Sequence, residues 1–366
     1  MTSTDSPSVL AERRRHLGIL TLNRPKALNA LSLEMIRLVT AQLLAWRDDP
    51  QVGAVLLRGA NREGKAPAFC AGGDIRYFHE AALAGDPTLE DFFSEEYALN
   101  HLVHTFGKPT FVLMDGITMG GGMGLAQGAS MRIVTEHARL AMPETNIGLF
   151  PDVGGGWFLA RTPGYLGEFL GLSGQVLGAA DSLAVDWADV CVKAERLDDL
   201  VQALVDATAV DGVGALSAVN AFGADAGAST LREQRDLIDR AFAAPDLAGI
   251  MAALAAERGE FASGLAKALS QRSPLMLSVT LAQIRRARTL TLADDLRMER
   301  GLVRHCFHLR PGEASETLEG IRALVIAKDH SPRWNPPAIA DVTPEMVDAF
   351  FASPWPAHAH PLRDLA

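Results

Sequence analysis

The stretch Thr110–Thr135, TFVLMDGITMGGGMGLAQGASMRIVT, changes character three times along its length. Thr110–Met114 is a short apolar run rich in β-formers and reads as a strand. Met119-Gly120-Gly121-Gly122-Met123-Gly124 then leads into a helix-like segment, and Arg132–Thr135 is strand-like again. A glycine run at a strand-to-helix junction leaves backbone N–H groups unpaired, and without Cβ atoms a ligand can approach them closely. A second junction of the same kind is Phe69-Cys70-Ala71-Gly72-Gly73-Asp74-Ile75. Either one alone is explained by a tight turn or close helix packing. Two in one chain point to an oxyanion hole built from backbone amides.

Working outward, Gly18–Asn23 (GILTLN) reads as a strand closed by Arg24-Pro25, and Ala54–Leu57 as another. From Ser32 the period becomes helical, with Leu33, Ile36, Leu38, Val39, Leu43 and Trp46 as the stripe, Ser32 as N-cap and Glu34 in the first turn. Leu89–Phe106 also reads as helix. Apolar strands alternating with helices predict an α/β sheet covered by helices. Beyond about residue 195 only helices are evident: Asp198–Thr208, Leu231–Ala243, Asp246–Arg258, Pro274–Arg288, Ala293–Phe307 and Gly312–Ile326. Gly212–Ser229 reads as a small-residue loop, and proline-rich Ser331–Leu362 as an extended surface segment. The expected organisation is an N-terminal tail (1–17), an α/β catalytic core (18–210), a helical C-terminal region (211–330) and a Pro-rich tail (331–366).

The chain has 366 residues and a formal charge of −10, with 48% hydrophobic and 21% charged residues. That balance excludes wholesale disorder, and an acidic chain without a basic tract is a poor nucleic-acid binder. Three cysteines are too few and too scattered for a disulfide framework, which points to a reducing compartment. No apolar run is long enough for a signal peptide core or a membrane span. The expectation is a soluble cytoplasmic protein, and 28 Arg against 6 Lys suggests a bacterial source. There is no G-x-S-x-G elbow and no Rossmann glycine fingerprint. Gly59–Lys65 mimics a P-loop, but Ala66 follows where a Mg²⁺-binding hydroxyl belongs. The helix-spaced pairs His101/His104 and His305/His308 lack a third ligand, so no metal is expected.

Several ordered motifs resemble the crotonase (enoyl-CoA hydratase/isomerase) superfamily. They are Asn23-Arg24-Pro25 with Asn29-Ala30-Leu31, then Phe69–Asp74, then Gly120–Gly122. Met142-Pro143-Glu144 through Asp152-Val153-Gly154-Gly155-Gly156, Ser94–Tyr97 and Lys328–Trp334 are similar to its 3-hydroxyisobutyryl-CoA hydrolase subfamily. The resemblance spans about residues 18 to 337. It implies a crotonase-like spiral core of ββα units and an acyl-CoA substrate, with no cofactor beyond the CoA the substrate carries. It implies no nucleic-acid or membrane partner, and it leaves a homo-oligomer open.

By that resemblance, Gly73 and Gly121 supply the two amides that hold the thioester carbonyl. Hydratases of the superfamily use two glutamates to grip one water. The first would fall at 124, which is glycine here, leaving Glu144. One carboxylate can attack a thioester or activate water to attack it. The implied roles are Glu144 as nucleophile or general base, Asp152 as hydroxyl ligand or proton-transfer partner, and Glu96 as a second contact to the acyl hydroxyl. Each has a plainer rival: Glu144 opening a helix behind Pro143, Asp152 capping one, and Glu96 on a solvated face beside Glu95. The competing functions are an enoyl-CoA hydratase or isomerase and a non-catalytic acyl-CoA-binding protein.

Overall fold

The computed structural model describes residues 6–209, 212 and 214–366. They form two compact units interleaved in sequence. The first comprises residues up to Gly73 with Ala98–Leu140 and Val176–Thr230; the second comprises Asp74–Tyr97, Ala141–Gln175 and Leu231–Ala366.

Among the described residues nine strands run in chain order: β1 (Val9–Arg14), β2 (Leu17–Leu22), β3 (Ala54–Gly59), β4 (Ala68–Cys70), β5 (Thr110–Met114), β6 (Ile117–Met119), β7 (Met131–Val134), β8 (Arg139–Ala141) and β9 (Val190–Cys191). The larger sheet has the order β1-β2-β3-β5-β7-β9 and the smaller β4-β6-β8. From β3 onward consecutive strands feed different sheets, and β3/β4 and β5/β6 are each followed in the chain by a helix, which is the ββα repeat. Only β1 runs antiparallel, to β2; the other pairs of the larger sheet are parallel. Parallel strands buried on both faces read as unbroken apolar runs, which is why every residue of β2 and β5 is buried. In register, Leu56 stands beside Phe111 and Leu113 beside Ile133. Helix Leu197–Ala207 presents Leu200, Val201, Leu204 and Val205 to the same core as Leu17, Ile19, Phe111 and Ile133.

Helix Leu33–Asp48 begins where the sequence predicts, with Ser32 Oγ accepting from the Met35 amide at 3.3 Å. The second unit is mainly helical. Helices Pro274–Ala287 and Leu292–His308 are its longest that lie wholly within it, and Phe78, Phe92, Phe93 and Phe307 form one aromatic cluster there.

Three segments differ from expectation. Residues 9–14, inside the expected tail 1–17, form β1 in full register with β2. The Gly212–Ser229 stretch contains helix Ala215–Asn220; Val210, Asp211 and Val213, which flank or interrupt its start, lie outside the described residues. The Pro-rich end contains helix Pro344–Phe351, capped by Thr343 with proline in its first turn and burying Phe350. Thr-Pro is a helix-start signal as much as a loop signal, and the weight of surrounding prolines masks it.

Candidate active site

The glycines of both junctions lie in the first unit. The Leu31 amide donates to the Gly72 carbonyl at 2.8 Å, and Leu31 bridges Gly73 as a parallel partner. Gly72 has φ +99°, and a Cβ built on it would stand 3.2 Å from the Met119 carbonyl and 3.5 Å from the Gly121 nitrogen. The two loops are therefore in van der Waals contact. Gly121 opens helix Gly121–Gln127, and the Gly120 carbonyl accepts from Met123 and Gly124. Among the described residues neither the Gly73 nor the Gly121 amide has a backbone acceptor. That is expected of an amide in a first helical turn.

The carboxylates lie in the second unit. Glu96, on helix Thr88–His104, is only 2% exposed, and Glu144 and Asp152 are each 6% exposed. Burial pushes the Glu96 and Glu144 carboxyls well above the usual range, and the negative charge of Asp152 adds to both. Asp152 is itself raised to about 6 by burial, against the pull of a hydrogen bond from the Tyr97 hydroxyl at 2.7 Å. Tyr97 is raised too, by burial and by the Asp152 charge, so it stays a donor. Like charges near one another oppose ionisation, which is the direction in which Asp152 moves both Glu96 and Glu144. Glu144 sits in the one-turn 3₁₀ helix Glu144–Ile147, and its Oε2 has no hydrogen-bond partner among the described residues. A buried carboxylate oxygen left unpaired is costly, and such exceptions mark places built to meet something else.

The Glu144 turn is pinned on two sides. Thr145 Oγ1 donates to the Leu172 carbonyl at 3.1 Å, and Thr317 Oγ1 to the Gly148 carbonyl at 2.7 Å. The Asp152 turn is held differently. Val153 has φ +60° and Gly154 φ +86°, and for a β-branched residue that is a strained backbone. Helix Gly155–Leu159 follows with no capping side chain of its own. Its amides are met from helix Leu292–His308: Glu299 Oε2 accepts from Gly154 at 2.7 Å and Oε1 from Gly156 at 2.8 Å, and Asp295 Oδ2 accepts from Trp157 at 2.9 Å. Gln283 Nε2 donates to both the Pro151 carbonyl (2.7 Å) and Glu299 Oε1 (2.9 Å).

The structure thus gathers Gly73 with Gly121 in one unit, and Glu96, Glu144 and Asp152 in the other. Two of the plainer readings do not hold. Asp152 does not cap the helix after it, because Glu299 does. Glu96 faces the interior and not solvent. Glu144 does open a helical turn, so its structural and chemical readings coexist. Sequence reasoning passed over Tyr97, Gln283, Asp295 and Glu299. No local signal could have found them: Asp152 reads as the cap of this helix, and only the fold shows that its amides are met from helix Leu292–His308. Among the described residues no group of three or more His, Cys, Asp or Glu is arranged to hold a metal ion.

A ββα spiral with two glycine-lined amides and a separate set of buried carboxyls is the architecture of one enzyme class. The chain belongs to the enoyl-CoA hydratase/isomerase (crotonase) family, whose description matches residues 17–351, and is an enzyme of CoA-thioester chemistry. It is similar to the mitochondrial 3-hydroxyisobutyryl-CoA hydrolase of Rattus norvegicus, 42% identical over 96% of this chain and 90% of the rat protein. The Homo sapiens protein of the same name is 39% identical over 94% of this chain and 88% of its own. Among solved structures, a carnitinyl-CoA dehydratase from Mycobacterium thermoresistibile superposes with TM-score 0.89 at 36% identity, covering 98% of this chain and 99% of that one. An enoyl-CoA hydratase from Rhodobacter sphaeroides gives 0.86 at 38% identity, covering 95% and 98%.

These relatives correct one expectation. The sequence suggested a bacterial, cytoplasmic protein, whereas the vertebrate relatives are mitochondrial. Charge and cysteine usage report solubility and redox state, which the mitochondrial matrix shares with the cytoplasm, so they could not separate the two. The Arg-to-Lys ratio reports coding bias, which carries no physical information about compartment. Among the described residues no helix is long and apolar enough to cross a membrane.

Proposed function

We propose that this enzyme hydrolyses a short 3-hydroxyacyl-CoA thioester, with 3-hydroxyisobutyryl-CoA as substrate and 3-hydroxyisobutyrate and CoA as products. The observation that carries the reading is Glu144: buried, with one oxygen unpartnered among the described residues, in a chain that has Gly124 where a hydratase has its other glutamate. The name shared by the vertebrate relatives supports the same reading. The amides of Gly73 and Gly121 receive the thioester oxygen as it becomes an oxyanion, a contact worth roughly 3 kcal/mol per donor in the transition state. Glu144 either attacks the carbonyl carbon, giving an anhydride that water opens, or takes a proton from the attacking water. In both routes the C–S bond breaks, its electron pair leaves with sulfur and the thiolate takes a proton; water's oxygen ends in the acid by direct attack, and in the acid or the Glu144 carboxylate according to which anhydride carbon it attacks. Asp152 and Glu96 take the 3-hydroxyl group, and a buried carboxyl left unmatched penalises acyl groups that lack it.

Thiol release and enoyl absorbance, followed with 3-hydroxyisobutyryl-CoA and crotonyl-CoA, test this reading. Thiol release from the first substrate without change in the second is expected. Loss of enoyl absorbance without thiol release would replace hydrolysis with hydration, the activity named for the Rhodobacter relative. Binding of both esters with neither signal would mean an acyl-CoA-binding protein.

A further inference from the structure

Glu299 lies one helical turn from Asp295 on helix Leu292–His308, and neither exposes any surface. Sequence and family put neither in the chemistry. Both oxygens of Glu299 are committed to backbone amides of the turn that follows Asp152, and Gln283 ties one of them to the carbonyl just before it. Positions 151, 154 and 156 are thereby fixed around a Val153 whose φ of +60° a β-branched residue does not hold unaided. Space has been cleared for the arrangement: a Cβ on Gly156 would stand 2.6 Å from Asp295 Oδ1 and 3.1 Å from Gln283 Nε2. A carboxyl with this many fixed partners is an assembled clamp, and what it clamps is the strained turn that aims Asp152 at Tyr97.

We propose that Glu299, braced by Gln283 and Asp295, is the positioning residue for Asp152: it holds the 152–154 turn in its left-handed conformation and so sets where the Asp152 carboxyl points. This rests on the reading of Asp152 as a group that meets the substrate. The mechanism adds no chemistry of its own, because Glu299 spends both oxygens on amides. Its burial among backbone donors keeps a charge, or a proton shared with Asp295, at a constant distance from Asp152. The titratable groups facing Asp152 are Glu96 and Tyr97 from helix Thr88–His104, Glu144 from its 3₁₀ turn, and Cys306 from helix Leu292–His308, while Glu299 of that helix faces Tyr97.

A double-substitution cycle tests it. In Glu299→Gln the amide oxygen keeps one acceptor, while the NH₂ meets a donor where the second acceptor was. The expected result is a fall in kcat of at least tenfold with KM changed less than threefold, and an acid limb of kcat/KM moved by more than half a pH unit. In an Asp152→Asn background the same substitution should cost less than twofold, because its effect travels through Asp152. Equal losses in both backgrounds, or an unmoved acid limb, would overturn the proposal. Gln283→Met, which keeps volume and removes the brace, is taken through the same cycle should Glu299→Gln not fold. The Asp152 carboxyl titration, followed by ¹³C NMR in labelled protein without substrate, separates the two readings. If no thioester is hydrolysed yet Glu299→Gln shifts that titration, the proposed function fails and the positioning role stands.

Discussion

At the scale of single residues, the site was legible as residue types and illegible as environments. Glu144 and Asp152 could be picked out by motif, yet nothing in a linear chain says that both are buried or that the Asp152 charge raises the Glu144 carboxyl. Glu96 shows the gap most clearly. Beside Glu95 it has the look of a solvated helix face, and only the packing around helix Thr88–His104 puts it 2% exposed next to Asp152. Burial also turns function into a stability cost. Burial and the Asp152 charge raise the Glu144 carboxyl, so keeping it ionised for the reaction costs stability, and Glu144→Gln should remove both the reaction and that penalty. We expect thiol release to fall about 1000-fold or more, with binding of the CoA ester retained and the melting temperature raised. A variant that keeps full activity would remove Glu144 from the reaction, and one that melts lower would contradict the burial argument.

At the scale of elements, strands and helix starts followed the sequence closely because their causes are local. β5 runs over Thr110–Met114 as read, and Ser32 caps its helix as read. The short pieces were missed where a nearby signal drowned them, as in helix Pro344–Phe351 among prolines. The glycines divide by what surrounds them, which the sequence does not record. A Cβ on Gly122 would lie 2.4 Å from the Cys70 carbonyl, against β4 backbone that cannot step aside. Gly264, exposed within helix Glu260–Ser270, has nothing within 4 Å. Opposite signs follow for one chemical change. Gly122→Ala should destabilise by roughly 1–3 kcal/mol or more, and Gly264→Ala should stabilise by about 0.5–1 kcal/mol. Urea midpoints at unchanged slope check both, and two values of the same sign would refute the packing account.

At the scale of the whole molecule, the charge of −10 says less about stability than the few carboxyls that are buried. Asp152 is raised by burial to about 6, and Asp295 by burial to about 7. Below about pH 4 the folded and unfolded forms both carry these protons; between there and 6 or 7 only the folded form does. Stability from these groups is therefore highest in acid and falls as pH rises from about 4 to 6 for Asp152 and to 7 for Asp295, on the order of 3 and 4 kcal/mol respectively. Ion-paired Glu90 and Glu319 have lowered values and act oppositely, failing only at lower pH. Thermal unfolding should thus give a higher midpoint at pH 5.5 than at 7.5, with Asp295→Asn flattening the difference. A midpoint that climbs across that interval would show that the buried carboxyls are not protonated in the fold.

The sequence by itself determined the alternation of strands and helices, because periodicity, caps and glycine junctions act over a few residues, and its ordered motifs carried the resemblance to the family, with its ββα core and the residue types of the candidate site. Only the tertiary structure decided how those residues behave. It interleaves two compact units along one chain, buries Glu96, leaves a Glu144 oxygen without a partner among the described residues, and brings Glu299 across more than a hundred residues to hold the turn after Asp152. The physical reason is that proton affinity, strain and hydrogen-bond satisfaction depend on everything packed around a group, and those neighbours are distant in the chain.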